Sequence, residues 1–370
     1  MKNIFFRLAF LIFIFIAFTA MKTEAQQQDS TKNECWISAN FHYGFLMAQH
    51  ATMQYLVKGH IPAAEIDYYK PTHGTQQWQQ TFGFPEYGVA FFAANLENPT
   101  VLGNIFGIYP FINFHLNKNK KLKLYLRVGS GLAYITKKFT PFDDHKEIAI
   151  GSHINAIINL RLNTAFALGK QMRLEAGIGL THSSNGATQT PNLGLNIPTV
   201  NLGIGYHFNP KNYFLHSDTT TSVSKKITYN ILFASGINQI DPPGGPHYFA
   251  YTFSINRNRR LNQKSTLGTG LDIFYNMSNI QQMIDDSTPL KNNFQDVQVG
   301  VKISYQLALG KLTLPIEMGA YLFTKYKTDG YLYHRIGLRY QLTNHLIANL
   351  TLLTHWAKAS YIEWGIGYRF

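Results

Sequence analysis

Along most of this chain hydrophobic and polar residues alternate with a period of two, in segments about ten to fourteen residues long. From Lys123 to Tyr134, one face carries Leu124, Leu126, Val128, Leu132 and Tyr134, interrupted only by Ser130. The other face carries Lys123, Tyr125, Arg127, Gly129, Gly131 and Ala133. Ile154 to Leu168 sets Ile154, Ala156, Ile158, Leu160, Leu162, Phe166 and Leu168 against Asn155, Asn159, Arg161 and Asn163. The chain ends the same way, with Ile362, Trp364, Ile366, Tyr368 and Phe370 opposing Glu363, Gly365, Gly367 and Arg369. Side chains of a strand point alternately to its two faces, so these segments predict long two-faced strands. Short polar turns separate them at Asn117–Lys121, Gly169-Lys170, Asn258–Lys264, Gly310-Lys311 and Thr343-Asn344, and longer connections run over Asp143–Ser152 and Gly186–Leu195.

A soluble sandwich also alternates. Here the strands are long, the apolar faces are nearly unbroken and aromatic, and the polar faces hold Arg, Asn and Gly. The fold class this predicts is all-β: a transmembrane antiparallel outer-membrane β-barrel, apolar face to lipid and polar face to the lumen. The polar stretch Asn209–Lys226 has about eight strands on each side. One closed sheet of about 14–16 strands is the preferred expectation, with two eight-stranded units as the alternative. A weak repeat supports two related halves. Leu180-Thr181-His182 precedes Gly203-Ile204-Gly205-Tyr206, as Leu353-Thr354-His355 precedes Gly365-Ile366-Gly367-Tyr368.

Composition narrows the class. Charged residues are 14% of the 370 and aromatics another 14%, which excludes a disordered chain. One cysteine excludes a disulfide scaffold and a multi-thiolate zinc site. Lys2 and Arg7 flank the apolar run Leu8–Ala20, and Thr23-Glu24-Ala25 reads as a cleavage site, so residues 1–25 are expected to be a signal peptide. Its loss removes three basic residues and one acidic residue, lowering the formal net charge from +13 to +11. Cys35 lies too far beyond the cut to be a lipid-attachment cysteine. No later apolar run is long enough for a membrane helix. The expected organisation is 26–208 as a first barrel half, 209–226 as a polar connection and 227–370 as a second half.

One segment differs from the rest: Leu180-Thr181-His182-Ser183-Ser184-Asn185-Gly186-Ala187, followed by Pro191-Asn192-Leu193-Gly194-Leu195-Asn196. Extending the alternation puts His182 and Ser184 on the lipid-facing stripe of Met172, Leu174, Ala176, Ile178 and Leu180, and Thr181, Ser183 and Asn185 on the lumen side. The returning strand places Asn196 on the outer face with Pro198, Val200 and Leu202. Residues two apart on one face are roughly 6.5–7 Å apart, close enough for an imidazole and a hydroxyl to hydrogen-bond. Base-activated attack by serine is one meaning of that group. The other is polarity at a strand end leaving the hydrocarbon.

The run His182-Ser183-Ser184-Asn185-Gly186 with Pro191-Asn192-Leu193-Gly194 resembles the signature of PagL-type lipid A 3-O-deacylases, outer-membrane acyloxyacyl hydrolases, and in particular their long Bacteroidetes-like form. The resemblance extends from about Asn113-Phe114 through Asn155-Ala156 to Tyr206. The second half, including Asp241-Pro242-Pro243-Gly244-Gly245, is similar to the extra region of that long form. The resemblance implies Ser184 as nucleophile, His182 as general base, and Asn185 with backbone N–H groups near Gly186 as oxyanion donors. The family's acidic triad member is a glutamate, and spacing places Asn196 there. A neutral amide can hold an imidazole tautomer but cannot stabilise the imidazolium by charge.

The expected activity is therefore an outer-membrane serine esterase that removes an ester-linked acyl chain from lipid A of lipopolysaccharide. Its expected partners are that substrate, outer-membrane lipid and, through the C-terminal strand ending in Phe370, the barrel-assembly machinery. If Phe370 ends a descending strand, Ser184 lies at the outer leaflet. A porin or transport barrel, and an inactive structural barrel of the same family, are the alternatives. His355 is expected to face the lumen rather than act as a second base. No cofactor is expected, and scattered histidines do not suggest a metal. The basic Lys118–Lys123 run reads as a solvated turn, with no nucleic acid expected.

Overall fold

The computed structural model describes residues 34–117, 121–210, 224–290, 294–356 and 358–370. The expected signal peptide, most of the polar connection and part of the basic turn lie outside the described residues. The first eight strands are β1 (Cys35–Phe45), β2 (His60–Pro71), β3 (Glu86–Asn95), β4 (Asn104–His115), β5 (Leu122–Ile135), β6 (Ile154–Ala167), β7 (Met172–Ser184) and β8 (Leu195–Phe208). The second eight are β9 (Ile227–Gln239), β10 (His247–Arg260), β11 (Ser265–Asn276), β12 (Val297–Leu309), β13 (Leu312–Phe323), β14 (Leu332–Gln341), β15 (Leu346–His355) and β16 (Lys358–Arg369). Helix α1 (Gln77–Thr81) lies between β2 and β3, and α2 (Ser278–Asp285) between β11 and β12.

These strands close into two antiparallel barrels, β1–β8 and β9–β16. The single sheet preferred from the sequence is thereby replaced by the two-barrel alternative. The cause is the pairing of β1 with β8, Trp36 opposite His207 and Phe41 opposite Leu202, which seals the first sheet before the polar connection. Eight strands enclose a space that side chains alone can fill. The turn expected at Asn258–Lys264 is shorter, because β10 continues to Arg260.

Alternation along each strand divides the residues as a bilayer-spanning barrel requires. Outward Leu202 is 69% exposed and Ile303 64%, whereas inward Arg127 is wholly buried. The first interior is an ion network. Arg127 donates to Glu65 at 2.9 Å, Asp67 at 2.8 Å and Asn113 at 2.9 Å. Arg161 also pairs with Glu65, and Arg173 joins Glu86 at 3.1 Å to Glu175 at 2.7 Å. The second barrel repeats the device. Arg335 binds Glu363, Asp272 and Glu317, while Lys302 reaches Asp272 and Glu317, both at 2.9 Å. Breaking one side of such a buried pair costs about 3–5 kcal/mol, so these charges are held as sets.

The end of the first barrel where β7 stops is closed differently. Met53, Leu56, Leu102, Ile135, Ile150 and Ile197 form a buried apolar cap beneath the connections at that end. The opposite end has mostly short turns, with one long connection, residues 72–85, that carries α1. Among the described residues, the buried ion sets and the apolar cap occupy the inside of the first barrel, and the Arg335 set that of the second. Purified protein in planar bilayers should therefore show no steady single-channel conductance, and well-defined open steps would contradict the packed lumen.

Candidate active site

Strand β7 keeps its alternation to its last residue. Thr181 and Ser183 are buried inside, 2% and 1% exposed, and His182 and Ser184 lie half-buried on the outer face. In the register of β7 with β8, His182 stands opposite Asn196. The imidazole Nδ1 is 2.8 Å from Asn196 Oδ1, and Nε2 is 3.1 Å from Ser184 Oγ. An amide oxygen can only accept, so Nδ1 carries the proton and Nε2 is left to accept from the serine hydroxyl. His182, Ser184 and Asn196 thus form one continuous relay. Ser183, one residue away, donates inward to Ala156 O at 3.0 Å.

Asn196 keeps the predicted face but is buried rather than open, at 4% exposure. Surrounding chain covers it: Met47 N–H donates to its carbonyl at 2.9 Å. Its side-chain nitrogen is buried with no hydrogen-bond partner among the described residues. An unmet buried donor costs about 1–3 kcal/mol.

The connection between β7 and β8 is held by its own side chains. Asn185 N–H donates to Asn192 Oδ1 at 2.9 Å. Asn185 Nδ2 donates to Ser152 Oγ at 3.0 Å and to Gln189 O at 2.9 Å. In this arrangement the donors of Asn185 are engaged in holding the loop. Gly186 is placed directly after it with φ +63°. Gly194 has φ +80°, and a Cβ there would lie 3.0 Å from His182 Cε1, so glycine is what lets the loop close over the imidazole.

Three residues that build the site had no role in the sequence reading. Asn192 lies within the Pro-Asn-x-Gly run, which marked a signature but not a hydrogen bond. Ser152 and Glu147 belong to the β5–β6 connection, where no periodicity indicates an approach to β7. That connection docks on the site loop through the Ile150–Asn192 bridge and the bond from Gly194 N–H to Ala149 O at 3.0 Å.

Glu147 locks the docked segment. Its Oε1 accepts from Ala149 N–H at 2.7 Å and Ile150 N–H at 3.0 Å, while Oε2 is buried with no hydrogen-bond partner among the described residues. Burial pushes this carboxyl up to about 8, against the opposing effect of the two backbone donors. The folded value lies above the ordinary 4.5. The contribution to folding is therefore complete below the unfolded value and is lost as pH rises through about 8. Protection factors of the Ala149 and Ile150 amides, corrected for intrinsic exchange, should fall across that window. Glu147→Gln should flatten the dependence, and an equally steep fall in that variant would exclude Glu147 as its source.

Two family models match the chain. One, described as lipid A 3-O-deacylase (PagL), matches residues 63–205, and the other, acyloxyacyl hydrolase, C-terminal domain, matches residues 227–370. No curated protein matches. Among solved structures, a triple mutant of the Rhodopseudomonas blastica porin is similar at 8% identity and TM-score 0.17, over 91% of this chain and 99% of that one. Acinetobacter baumannii OccAB4 is similar at 11% identity and TM-score 0.23, over 94% of this chain and 99% of that one. At those scores neither likeness supports a conclusion, and the fold rests on the strand pairing itself.

Proposed function

This chain belongs to the PagL family of lipid A 3-O-deacylases and acyloxyacyl hydrolases, and on that premise we propose that it is an outer-membrane serine esterase. Its substrate in this reading is lipid A of lipopolysaccharide, from which it removes an ester-linked acyl chain. The observation that carries the reading is the Ser184–His182–Asn196 relay on the outward face of a closed barrel, at the end of a strand.

Each atom then has a task. Ser184 Oγ attacks the ester carbonyl as His182 Nε2 takes its proton, forming an acyl-serine after the alcohol leaves with a proton returned by His182. Water, activated by the same nitrogen, releases the fatty acid. Asn196 Oδ1 holds the imidazole in the productive tautomer throughout. The backbone N–H of Gly186 is the oxyanion donor in this scheme, because the Asn185 donors are engaged in the loop. The outward face of β7 brings these groups to the lipid boundary, where an acyl chain is already aligned with the bilayer. In this reading the barrel end that carries the site lies in the outer leaflet. A basic mature chain suits an anionic headgroup.

A conducting barrel is disfavoured by the filled interiors. The inactive-barrel reading is favoured by one observation, the neutral Asn196 with its unmet amide donor. Activity assays of two positions separate it from the esterase.

Ser184→Ala and His182→Asn should each abolish loss of a lipid A acyl chain in cells, read by mass spectrometry, with heat-modifiable folded protein unchanged. The expected loss is on the order of 10⁴ or more, as in triad enzymes. Ser183→Ala should be nearly silent, since a one-residue step turns the side chain to the opposite face. If Ser183→Ala were the dead variant, nucleophile and register would fall together. At the third position, Asn196→Glu should preserve or raise activity, whereas Asn196→Leu should lose it at unchanged folding. Full activity in the leucine variant would remove Asn196 from the relay.

A further inference from the structure

The loop that follows Ser184 is not held by the first barrel alone. Gln239, the last residue of β9, is buried against it at 4% exposure. Its Oε1 accepts from Thr190 N–H at 2.8 Å and from Thr190 Oγ1 at 3.2 Å. Its backbone N–H donates to Ala187 O at 2.9 Å, and its Nε2 donates to Gly245 O at 2.6 Å. One glutamine therefore grips the site loop at two points while tied to the β9–β10 connection of its own barrel.

A second contact lies beside it. A Cβ on Gly186 would come within 2.5 Å of Ile362 Cγ1 on β16, so the backbone of Gly186 rests directly on the wall of the second barrel. The segment between these contacts is a tight turn. Thr188 Oγ1 donates to Asn185 O at 3.0 Å, and Asn185 Nδ2 donates to Gln189 O at 2.9 Å. A displacement at Thr190 is thus passed through the turn to Asn185 and Gly186. Far from the site the two barrels also touch, where Thr81 Oγ1 donates to Gln263 Oε1 at 2.6 Å and Gly310 packs on Trp78. That contact lies at the opposite end of the first barrel from the loop.

We propose that the second barrel is a working part of the active site: Gln239 is a positioning residue that fixes the Ala187–Thr190 turn and, through it, the Gly186 N–H. The proposal rests on the serine-esterase reading. It assigns the second barrel a role in the rate of the chemical step rather than in substrate affinity, because Gln239 reaches the loop and not the relay. Misplacing a transition-state donor by a fraction of an ångström to 1 Å lowers turnover by on the order of 10- to 100-fold.

The test uses the full-length protein in detergent–lipopolysaccharide micelles, with two readouts. Gln239→Ala should lower kcat by on the order of 10- to 100-fold with KM within about threefold of the unsubstituted value. Amide exchange across Gly186–Thr190 should speed up by about tenfold or more in the same variant. Gln239→Glu keeps an acceptor for Thr190 and should restore most of both. Gln263→Ala, which breaks the barrel contact at the far end, should change neither. The proposal is overturned by unchanged exchange in Gln239→Ala, by raised exchange with unchanged kcat, or by an equal kcat loss in Gln263→Ala. It is also overturned if KM rises while kcat holds. If the unsubstituted protein hydrolyses nothing, the esterase reading fails, and the exchange readout still decides whether Gln239 holds the loop. Should Gln239→Ala not fold, Gln239→Glu against Gln239→Met, of nearly equal volume but without the acceptor, gives the same contrast.

Discussion

Each barrel turns one face of every strand outward with mostly apolar side chains, so the charged side chains that the alternation sends inward must find their partners there. The buried arginines satisfy that constraint. Arg127, Arg161 and Arg173 in the first barrel, and Arg335 in the second, each bind two or more carboxylates or a carboxylate and its neighbours. These sets fill a space only as wide as eight strands make it, and they fix which residues point inward. The outward placement of His182 and Ser184 follows from the same parity that buries Arg173 and Glu175. Charge neutralisation in the interior and the outward relay of His182, Ser184 and Asn196 are therefore two results of one register.

Much of this was legible in the sequence because the signal has period two and each strand repeats it several times. Lys123–Tyr134 and Ile154–Leu168 correspond to β5 and β6 with their inward residues as read. Closure was not legible. Whether β8 returns to β1 or continues to β9 depends on pairing between residues far apart, such as Trp36 and His207, and no local pattern encodes it. The site divides the same way. His182, Ser184 and Asn196 follow from parity on two adjacent strands. Ser152, Glu147 and Gln239 come from connections or from the other barrel, where composition does not tell which chain segment is near.

The relay is also instructive for the group that orients its histidine. An amide at Asn196 meets the geometric requirement, a 2.8 Å acceptor for Nδ1–H, without the charge that would stabilise an imidazolium. Around the relay stand the loop over the imidazole and the glycine that permits its approach. Asn196 and Gly194 are in that sense parts of one arrangement, in which close packing accompanies a weaker electrostatic partner.

The tripeptide Leu-Thr-His occurs on the seventh strand of both barrels, yet in opposite phase. Thr181 is buried with His182 outward, whereas Leu353 and His355 are buried, His355 touching Tyr321 at 2.9 Å. If the halves arose by duplication, the difference between an outward histidine and a sealed one is a frame of one residue. No point substitution crosses such a frame, because a side chain cannot change sides without its strand sliding. To turn this histidine outward, β15 would have to slip by one residue against its neighbours.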